Sequence, residues 1–141
     1  MSSSTKTAIA TSAAPPPLPQ FSQAVVHNGI VYCSGSIGVD PATAKIVEGS
    51  VHDRTRQALL NLAAVLDASG SSLNDVLKVN VFLTNMADFP IMNSAWDEVF
   101  KRENKPVCSK RKTFLWWEFL TLNDVRPGLV SRFTSFLLGP M

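Results

Sequence analysis

Residues 76–96, VLKVNVFLTNMADFPIMNSAW, place a buried strand directly before an amphipathic helix. In the first part of this stretch, apolar Val79, Val81 and Leu83 alternate with polar side chains. That alternation has the two-residue period of a strand with one buried face. We therefore expect residues 76–83 to lie in the interior of a sheet.

The second part of the stretch has the spacing of a helix. Asp88 is a suitable N-cap residue, and Pro90 is tolerated in a first helical turn. The apolar residues that recur at helical spacing are Phe89, Met92, Trp96, Val99 and Phe100. This pattern predicts a second helix that ends near Lys105 and Pro106.

Upstream, a hairpin is indicated by Asn28-Gly29. This dipeptide accepts the positive φ angles of a tight type I′ turn, and it separates the β-rich runs 24–26 and Ile30–Cys33. After a further turn, residues 45–47 form a short apolar run that we expect to pair back onto the sheet.

A first helix is predicted between the hairpin and the buried strand. From about Val51 to Ser69, apolar residues recur at three-to-four spacing, and Gly70 follows as a C-terminal stop. Strands and helices in this order predict an α+β fold, a two-layer sandwich of one mixed sheet with two helices on one face.

Composition narrows the function classes. A chain of 141 residues suits one domain, and a net charge of +2 without a long basic stripe disfavours nucleic acid as a partner. The two cysteines, Cys33 and Cys108, have no metal-ligand spacing, so we expect neither a metal site nor a disulfide framework. No apolar run is long enough for a membrane span. We expect a cytoplasmic protein.

The N-terminal residues allow a second localisation. Residues 1–14 are rich in Ser, Thr and Ala without acids, which weakly resembles a mitochondrial transit peptide, although Lys6 is the only basic residue there. A proline-rich stretch follows, and prolines forbid helix and remove ladder donors. We expect residues 1–19 to be a flexible N-terminal arm.

Four segments together resemble the Rid (reactive intermediate deaminase) family, also called YjgF-like, RutC-like or L-PSP endoribonuclease. They occur in the family's order and spacing over about residues 20–107. The segments are PQFSQAVVHNGIVYCSGSIGVDPATAKIVEG, RQALLNLAAVLDASG, VLKVNVFLTNMADFPIMNSAW and NKPV. The resemblance makes residues 20–109 a Rid-like domain of chorismate-mutase-like fold, followed by an atypical C-terminal tail at 110–141.

The same resemblance implies an activity and an assembly. Family members form homotrimers with ligand clefts between subunits. They hydrolyse reactive 2-imino or 2-enamino acids to 2-keto acids and ammonia, and they use no cofactor of their own. A small-molecule imine or keto acid is therefore the implied partner, with neither nucleic acid nor membrane involved.

The chain departs from the family where a catalytic arginine follows the second helix, because Cys108 occupies that position. A thiol cannot form the bidentate, charge-assisted contacts by which a guanidinium clamps a carboxylate. Arg111 or Lys110 could substitute, but a shift along a strand changes the face or depth of a side chain. The family's last-strand glutamate has no clear counterpart, and Glu118 is the nearest candidate.

The other residues implied by the resemblance allow two interpretations each. Ser34 and Gly35 match a Ser-Gly pair that lines the family cleft, but a small residue there also suits close packing. Phe21 replaces a common tyrosine and keeps only aromatic packing. Asn93 and Trp96 match an Asn and an aromatic on the second helix, where the apolar stripe alone explains Trp96.

Several functions stay open at this stage. The leading hypothesis is an imine deaminase, weakened or inactive in this form. The alternatives are a non-catalytic binding protein, an accessory protein of a specialised biosynthetic pathway, and a ribonuclease, which the lack of a basic-aromatic groove disfavours. A nucleophilic Cys108 is a further hypothesis, although neither His27 nor His52 is obviously placed as its base.

The tail also has two interpretations. It is either a genuine divergent C-terminus that closes the sheet with TFLWWEFLTL, or the product of a retained intron. The second hypothesis rests on Arg111-Lys112, which CGT AAG can encode with a GTAAG splice-donor sequence.

Overall fold

The computed structural model describes residues 5–101 and 105–112, together with the backbone of two strands near the C-terminus. Its strands are β1 (Thr7–Ile9), β2 (Ala24–His27), β3 (Ile30–Cys33), β4 (Val76–Leu83), β5 (Val107–Lys112), β6 (Val130–Phe133) and β7 (Phe136–Leu138). Its helices are α1 (Val51–Ala68) and α2 (Phe89–Val99), and 3-10 turns cover Leu73–Asp75 and Met86–Asp88.

The strands form one mixed sheet in the order β1-β2-β3-β6-β4-β5, and β7 also pairs with β4. The first three strands are antiparallel, whereas β3, β6, β4 and β5 run parallel to one another. The predicted α+β class, with one mixed sheet and two helices, is confirmed.

The predicted hairpin is also confirmed. Asn28 and Gly29 have φ angles of 52° and 74°, the left-handed conformation that a type I′ turn requires at both central positions. The turn fixes the register of β2 on β3, with Ala24 opposite Cys33 and His27 opposite Ile30. This register directs Val31 and Cys33 into the core.

The core lies between the sheet and α1 with α2. Helix α1 begins with a capping box, in which Ser50 accepts from the His52 amide and Asp53 accepts from the Ser50 amide. The largest fully buried side chains come from both helices and the central strands, namely Leu59, Leu62, Leu66, Leu83, Met92, Val31, Val79, Val81 and Cys33. The apolar faces of the two helices and of the central strands therefore pack together as one buried layer.

The predicted end of the second helix is wrong. The helix ends at Val99 because Phe100, with φ −95° and ψ 78°, leaves the helical conformation, so the chain does not continue helical to Lys105. Asp88 occupies the N-cap position, as predicted, although its side chain makes no capping hydrogen bond. The preceding 3-10 turn is capped instead by Asn85, whose Oδ1 accepts from the Ala87 amide at 3.1 Å.

The expected sheet pairing of residues 45–47 is wrong as well. Ile46 forms an isolated antiparallel bridge with Val39, which lies outside the sheet. The Asp40 carboxylate accepts from the Ala42 amide at 2.8 Å, and Ala44 adopts a φ of 55°. The chain turns so tightly that it pairs with its own preceding residues and does not reach the sheet.

Part of the expected N-terminal arm is ordered against the sheet. Thr7–Ile9 pairs with β2, and Ala14 belongs to the buried core. The side chain of Gln23, itself buried, holds the intervening chain through four contacts. Its Oε1 accepts from the Thr11 amide at 2.6 Å, and its Nε2 donates to the carbonyls of Thr11, Ala14 and Pro15.

The expected tail boundary at residue 110 falls inside a regular strand. β5 continues to Lys112, and the tail also contributes β6, which lies between β3 and β4. Residues 113–129, which include Glu118 and the TFLWWEFLTL segment, lie outside the described residues.

Replacing Gln23 with Ala should release the N-terminal segment. The loss leaves buried backbone groups near Thr11 and Ala14 without partners, which costs about 1–3 kcal/mol in the free energy of unfolding. Urea denaturation measures that loss, and Gln20→Ala on exposed chain is the matched control. Equal midpoints for both variants would show that Gln23 does not hold the segment.

Candidate active site

Most of the residues singled out from the sequence fall into two groups in the chain. Phe21, Ser34 and Gly35 lie at the β2–β3 side of the sheet, while Asn93 and Cys108 lie at the α2–β5 side. β6 and β4 separate β3 from β5, which places the groups about 14 Å apart at ordinary strand spacing. The fold of the single chain does not bring the two groups into contact.

The two groups are nevertheless at the same height on the sheet. Tyr32 of β3 is opposite Arg132 of β6, which is opposite Lys78 of β4, and Lys78 is opposite Val107 of β5. Two residues after that row come Ser34 on one side and Ser109 on the other. Both groups therefore face the same end of the parallel strands.

Ser34 ties the end of β3 to the chain entering β2. Its Oγ donates to the Ser22 carbonyl at 2.5 Å, and its amide donates to the Gln23 carbonyl at 2.9 Å. The hydroxyl proton is thus committed to the backbone, which leaves the oxygen lone pairs as acceptors. Packing and a ligand contact are both compatible with this geometry.

The neighbours of Ser34 are open to solvent. Gly35 is exposed, and Phe21 lies in a turn with 49% of its surface accessible. The Phe21 amide donates to the Leu18 carbonyl at 3.2 Å, which fixes the turn that presents the ring. Phe21 is therefore an exposed aromatic of the chain and not a core residue.

The second group centres on a lysine. Lys110 Nζ donates to Asn93 Oδ1 at 3.1 Å and lies 3.7 Å from the centroid of the Phe89 ring. An ammonium at this distance from an aromatic face is held by a cation–π interaction. Both contacts anchor β5 to the start of α2.

Cys108 shares the face of Lys110. Side chains two residues apart point to the same side of a strand, and the Cys108 side chain packs against the core beneath the helices. Burial raises the pKa of the Cys108 thiol, while the positive charge of Lys110 partly opposes that increase. The thiol is therefore neutral at neutral pH, and a free thiolate nucleophile is not formed there.

The two histidines do not activate this thiol. His52 Nε2 lies 2.8 Å from Glu98 Oε1 on the helical surface. His27 belongs to β2, which three strands separate from β5 in the sheet. Among the hydrogen bonds of the described residues, none joins Cys108 to a histidine. Cys33 is inert for the same physical reason as Cys108, since burial raises its pKa to about 12.

Trp96 lies apart from these two groups. Trp96 is buried and packs against Phe100, with ring centroids 4.5 Å apart, so it belongs to the core. Arg111 is opposite Phe82 in the register of β5 on β4, and only its backbone is described.

Sequence reasoning named Lys110 only as a possible substitute and did not identify its partner Phe89. The signal that could have found the cluster is the two-residue step from Cys108, which keeps Lys110 on the helix-facing side of β5. Across the described residues, no group of three His, Cys, Asp or Glu side chains could hold a metal ion. Nor is any described helix long and apolar enough to cross a bilayer.

The sequence model of the Endoribonuclease L-PSP family matches residues 11–111. The chain belongs to this family, which includes the Rid and RutC proteins. A RutC family protein of Pyrococcus horikoshii is 46% identical over 101 residues, covering 72% of this chain and 79% of the relative. A 2-iminobutanoate/2-iminopropanoate deaminase of Dermatophagoides farinae is 43% identical over 98 residues, covering 70% and 77%. The predicted family is confirmed.

Solved structures of the family have the same fold. Yeast Mmf1 superimposes with a TM-score of 0.74 at 38% identity, covering 77% of this chain and 86% of Mmf1. Escherichia coli TdcF, solved with bound serine, gives a TM-score of 0.72 at 31% identity, covering 76% and 85%.

Removing the charge of Lys110 should make Cys108 less reactive. In Lys110→Met the pKa of the Cys108 thiol rises further, because the attraction that favours its thiolate is lost. In a Cys33→Ala background, iodoacetamide alkylation of Cys108 should be slower in the variant at each pH, and its midpoint should move to higher pH. Unchanged alkylation profiles would show that the charge of Lys110 does not affect the pKa of the Cys108 thiol.

Proposed function

We propose that this protein is a Rid-type deaminase that hydrolyses 2-imino acids to 2-keto acids and ammonia. The single observation that carries the proposal is the cluster of Asn93, Lys110 and Cys108 on the helix-facing side of β5, in a chain 43% identical to a 2-iminobutanoate/2-iminopropanoate deaminase. The cluster keeps a hydrogen-bonding amide and a cation although the family arginine is absent.

The proposed chemistry adds water to the imine carbon. The carbon–nitrogen double bond becomes a carbinolamine, and the nitrogen leaves as ammonia while the carbonyl forms. The protein holds the substrate carboxylate and orients the imine, so that binding replaces part of the entropy cost of bringing water and substrate together. Ser34 supplies acceptor lone pairs and exposed Gly35 gives access to the backbone.

The activity is tested with the purified protein and an enzymatic source of 2-iminopropanoate or 2-iminobutanoate. We expect the imine to disappear faster with the protein than in buffer alone. The absorbance of the imine measures its loss. Cys108→Arg should increase the rate about 10- to 100-fold, since a bidentate guanidinium–carboxylate contact adds strong charge-assisted hydrogen bonds. Cys108→Ser controls for loss of the thiol. A rate equal to buffer for both the wild type and Cys108→Arg would rule out the deaminase.

Assembly is part of the proposal, since the two residue groups lie apart in one subunit. A homotrimer would bring the Ser34 side of one subunit to the Lys110 side of its neighbour. The sheet supports this arrangement through exposed apolar residues on β4 and β5, with Leu77 50% and Val107 67% accessible. Exposed apolar side chains on adjacent strands favour burial against another copy.

Val107→Glu should dissociate the assembly. A carboxylate in an apolar subunit interface is desolvated without a partner, so sedimentation should change from trimer to monomer. Ile91→Glu, on the exposed surface of α2, is the matched control and should stay trimeric. A monomeric wild type, or a trimeric Val107→Glu, would show that this face is not the interface.

One alternative is an accessory imine-processing protein in a specialised biosynthetic pathway. The other is a non-catalytic protein that binds a metabolite or another protein. The non-catalytic alternative predicts thermal stabilisation by 2-keto acids without turnover. For localisation we propose the cytoplasm, with the mitochondrion as the alternative that the Ser-, Thr- and Ala-rich N-terminus permits.

A further inference from the structure

We infer that the substrate carboxylate is bound in this chain by Lys110, which lies two residues beyond position 108 on β5. Lys110 is then the specificity-determining residue that selects substrates carrying a carboxylate. The inference rests on the proposed function, because it names the group that holds the substrate in the same site. It assigns a role to Lys110 that the sequence left undecided.

The first support is the face of the strand. Cys108 packs against the core on the helix side, and Lys110 reaches the side chains of α2 on that same side. A two-residue step displaces a side chain by about 6.6 Å along a strand without changing its face. The long lysine side chain can reach back over part of that distance. A one-residue shift would instead have placed the cation on the face of β5 that points away from the helices.

The second support is the hydrogen-bonding capacity of the ammonium. A lysine ammonium has three N–H donors and no acceptor. One donor is used on Asn93 Oδ1, and the ring of Phe89 faces the positive charge without accepting a conventional hydrogen bond. At least one strong donor is left for an incoming oxygen, in a position fixed by the two contacts.

The third support is that, within the described residues, no carboxylate pairs with Lys110. The ion pairs of the described residues involve His52, Arg56 and Lys105, and none of them includes Lys110. Cys108 does not supply a negative charge, because its thiol is neutral at neutral pH. Lys110 is half-buried, so its charge is only partly hydrated and is best satisfied by a ligand anion.

The chemistry of the lysine predicts how selection differs from that of a guanidinium. An ammonium is a point charge without the planar fork that matches both carboxylate oxygens. It therefore distinguishes charged from neutral ligands, but it fixes the plane of the carboxylate less tightly. The expected substrate class is 2-imino and 2-oxo acids, bound through one carboxylate oxygen.

The test compares ligand binding by the wild type, Lys110→Met and Lys110→Arg with 2-oxobutanoate as the probe. Methyl 2-oxobutanoate, which lacks the charge, is the matched ligand, and Lys101→Met at an exposed position is the matched variant. Calorimetry gives the dissociation constants, and the same variants are assayed for imine hydrolysis. Because Met keeps the length and apolar stem of Lys, the variant should fold.

We expect Lys110→Met to weaken 2-oxobutanoate binding at least tenfold and to leave binding of the ester unchanged. Lys110→Arg should retain binding, and Lys101→Met should match the wild type. Equal binding of 2-oxobutanoate by the wild type and Lys110→Met, or no binding by the wild type, would overturn the inference.

The binding test also separates this inference from the proposed function. A wild type that binds 2-oxobutanoate through Lys110 but does not hydrolyse imines refutes the deaminase activity and supports carboxylate binding by Lys110. A wild type that hydrolyses imines at the same rate as Lys110→Met supports the deaminase activity and refutes carboxylate binding by Lys110.

Discussion

The packing of β4 beneath the two helices is the constraint on which the rest of the structure depends. Val79, Val81 and Leu83 are almost fully excluded from solvent. The strands β5, β6 and β7 all pair with β4, so its register fixes the height of each of them. A shift of β4 by one residue would turn its apolar side chains away from the helices and would expose the core.

The register of β4 is passed to the candidate site through β5. Val79 is opposite Cys108 and Val81 is opposite Lys110, so both β5 residues share the buried face of their neighbours. The core thus decides which β5 side chains meet α2. Asn93 and Phe89 are in place because α2 starts directly after β4, with only the 3-10 turn between them.

The sequence was sufficient to predict the elements with strong periodicity. The alternation of 76–83, the Asn28-Gly29 turn and the stripe of α1 each have one physical solution, and the structure contains all three. The end of α2 was not predictable in the same way. Phe100 has helical spacing in the sequence, but its ring packs on Trp96 after the backbone has left the helix.

The N-terminal segment and the site depend on contacts between residues distant in sequence. Thr7–Ile9 has no strong strand pattern of its own, and its neighbourhood is fixed by Gln23, a residue that looks unremarkable in the sequence. The Asn93–Lys110 contact likewise joins α2 to β5, and no local sequence pattern predicts how these two elements are placed relative to each other. Family resemblance pointed to Asn93 and to position 108, but not to a lysine beyond it.

Cys108 and Lys110 are best understood as one electrostatic unit. Burial keeps the thiol protonated, and a protonated thiol has no negative charge with which to neutralise the ammonium beside it. An acidic residue at position 108 would pair with Lys110 and compete with any ligand anion. An arginine there would add a second cation and disfavour both charges while the site is empty. A neutral, half-buried residue is therefore the replacement that leaves the positive charge of Lys110 available to a ligand.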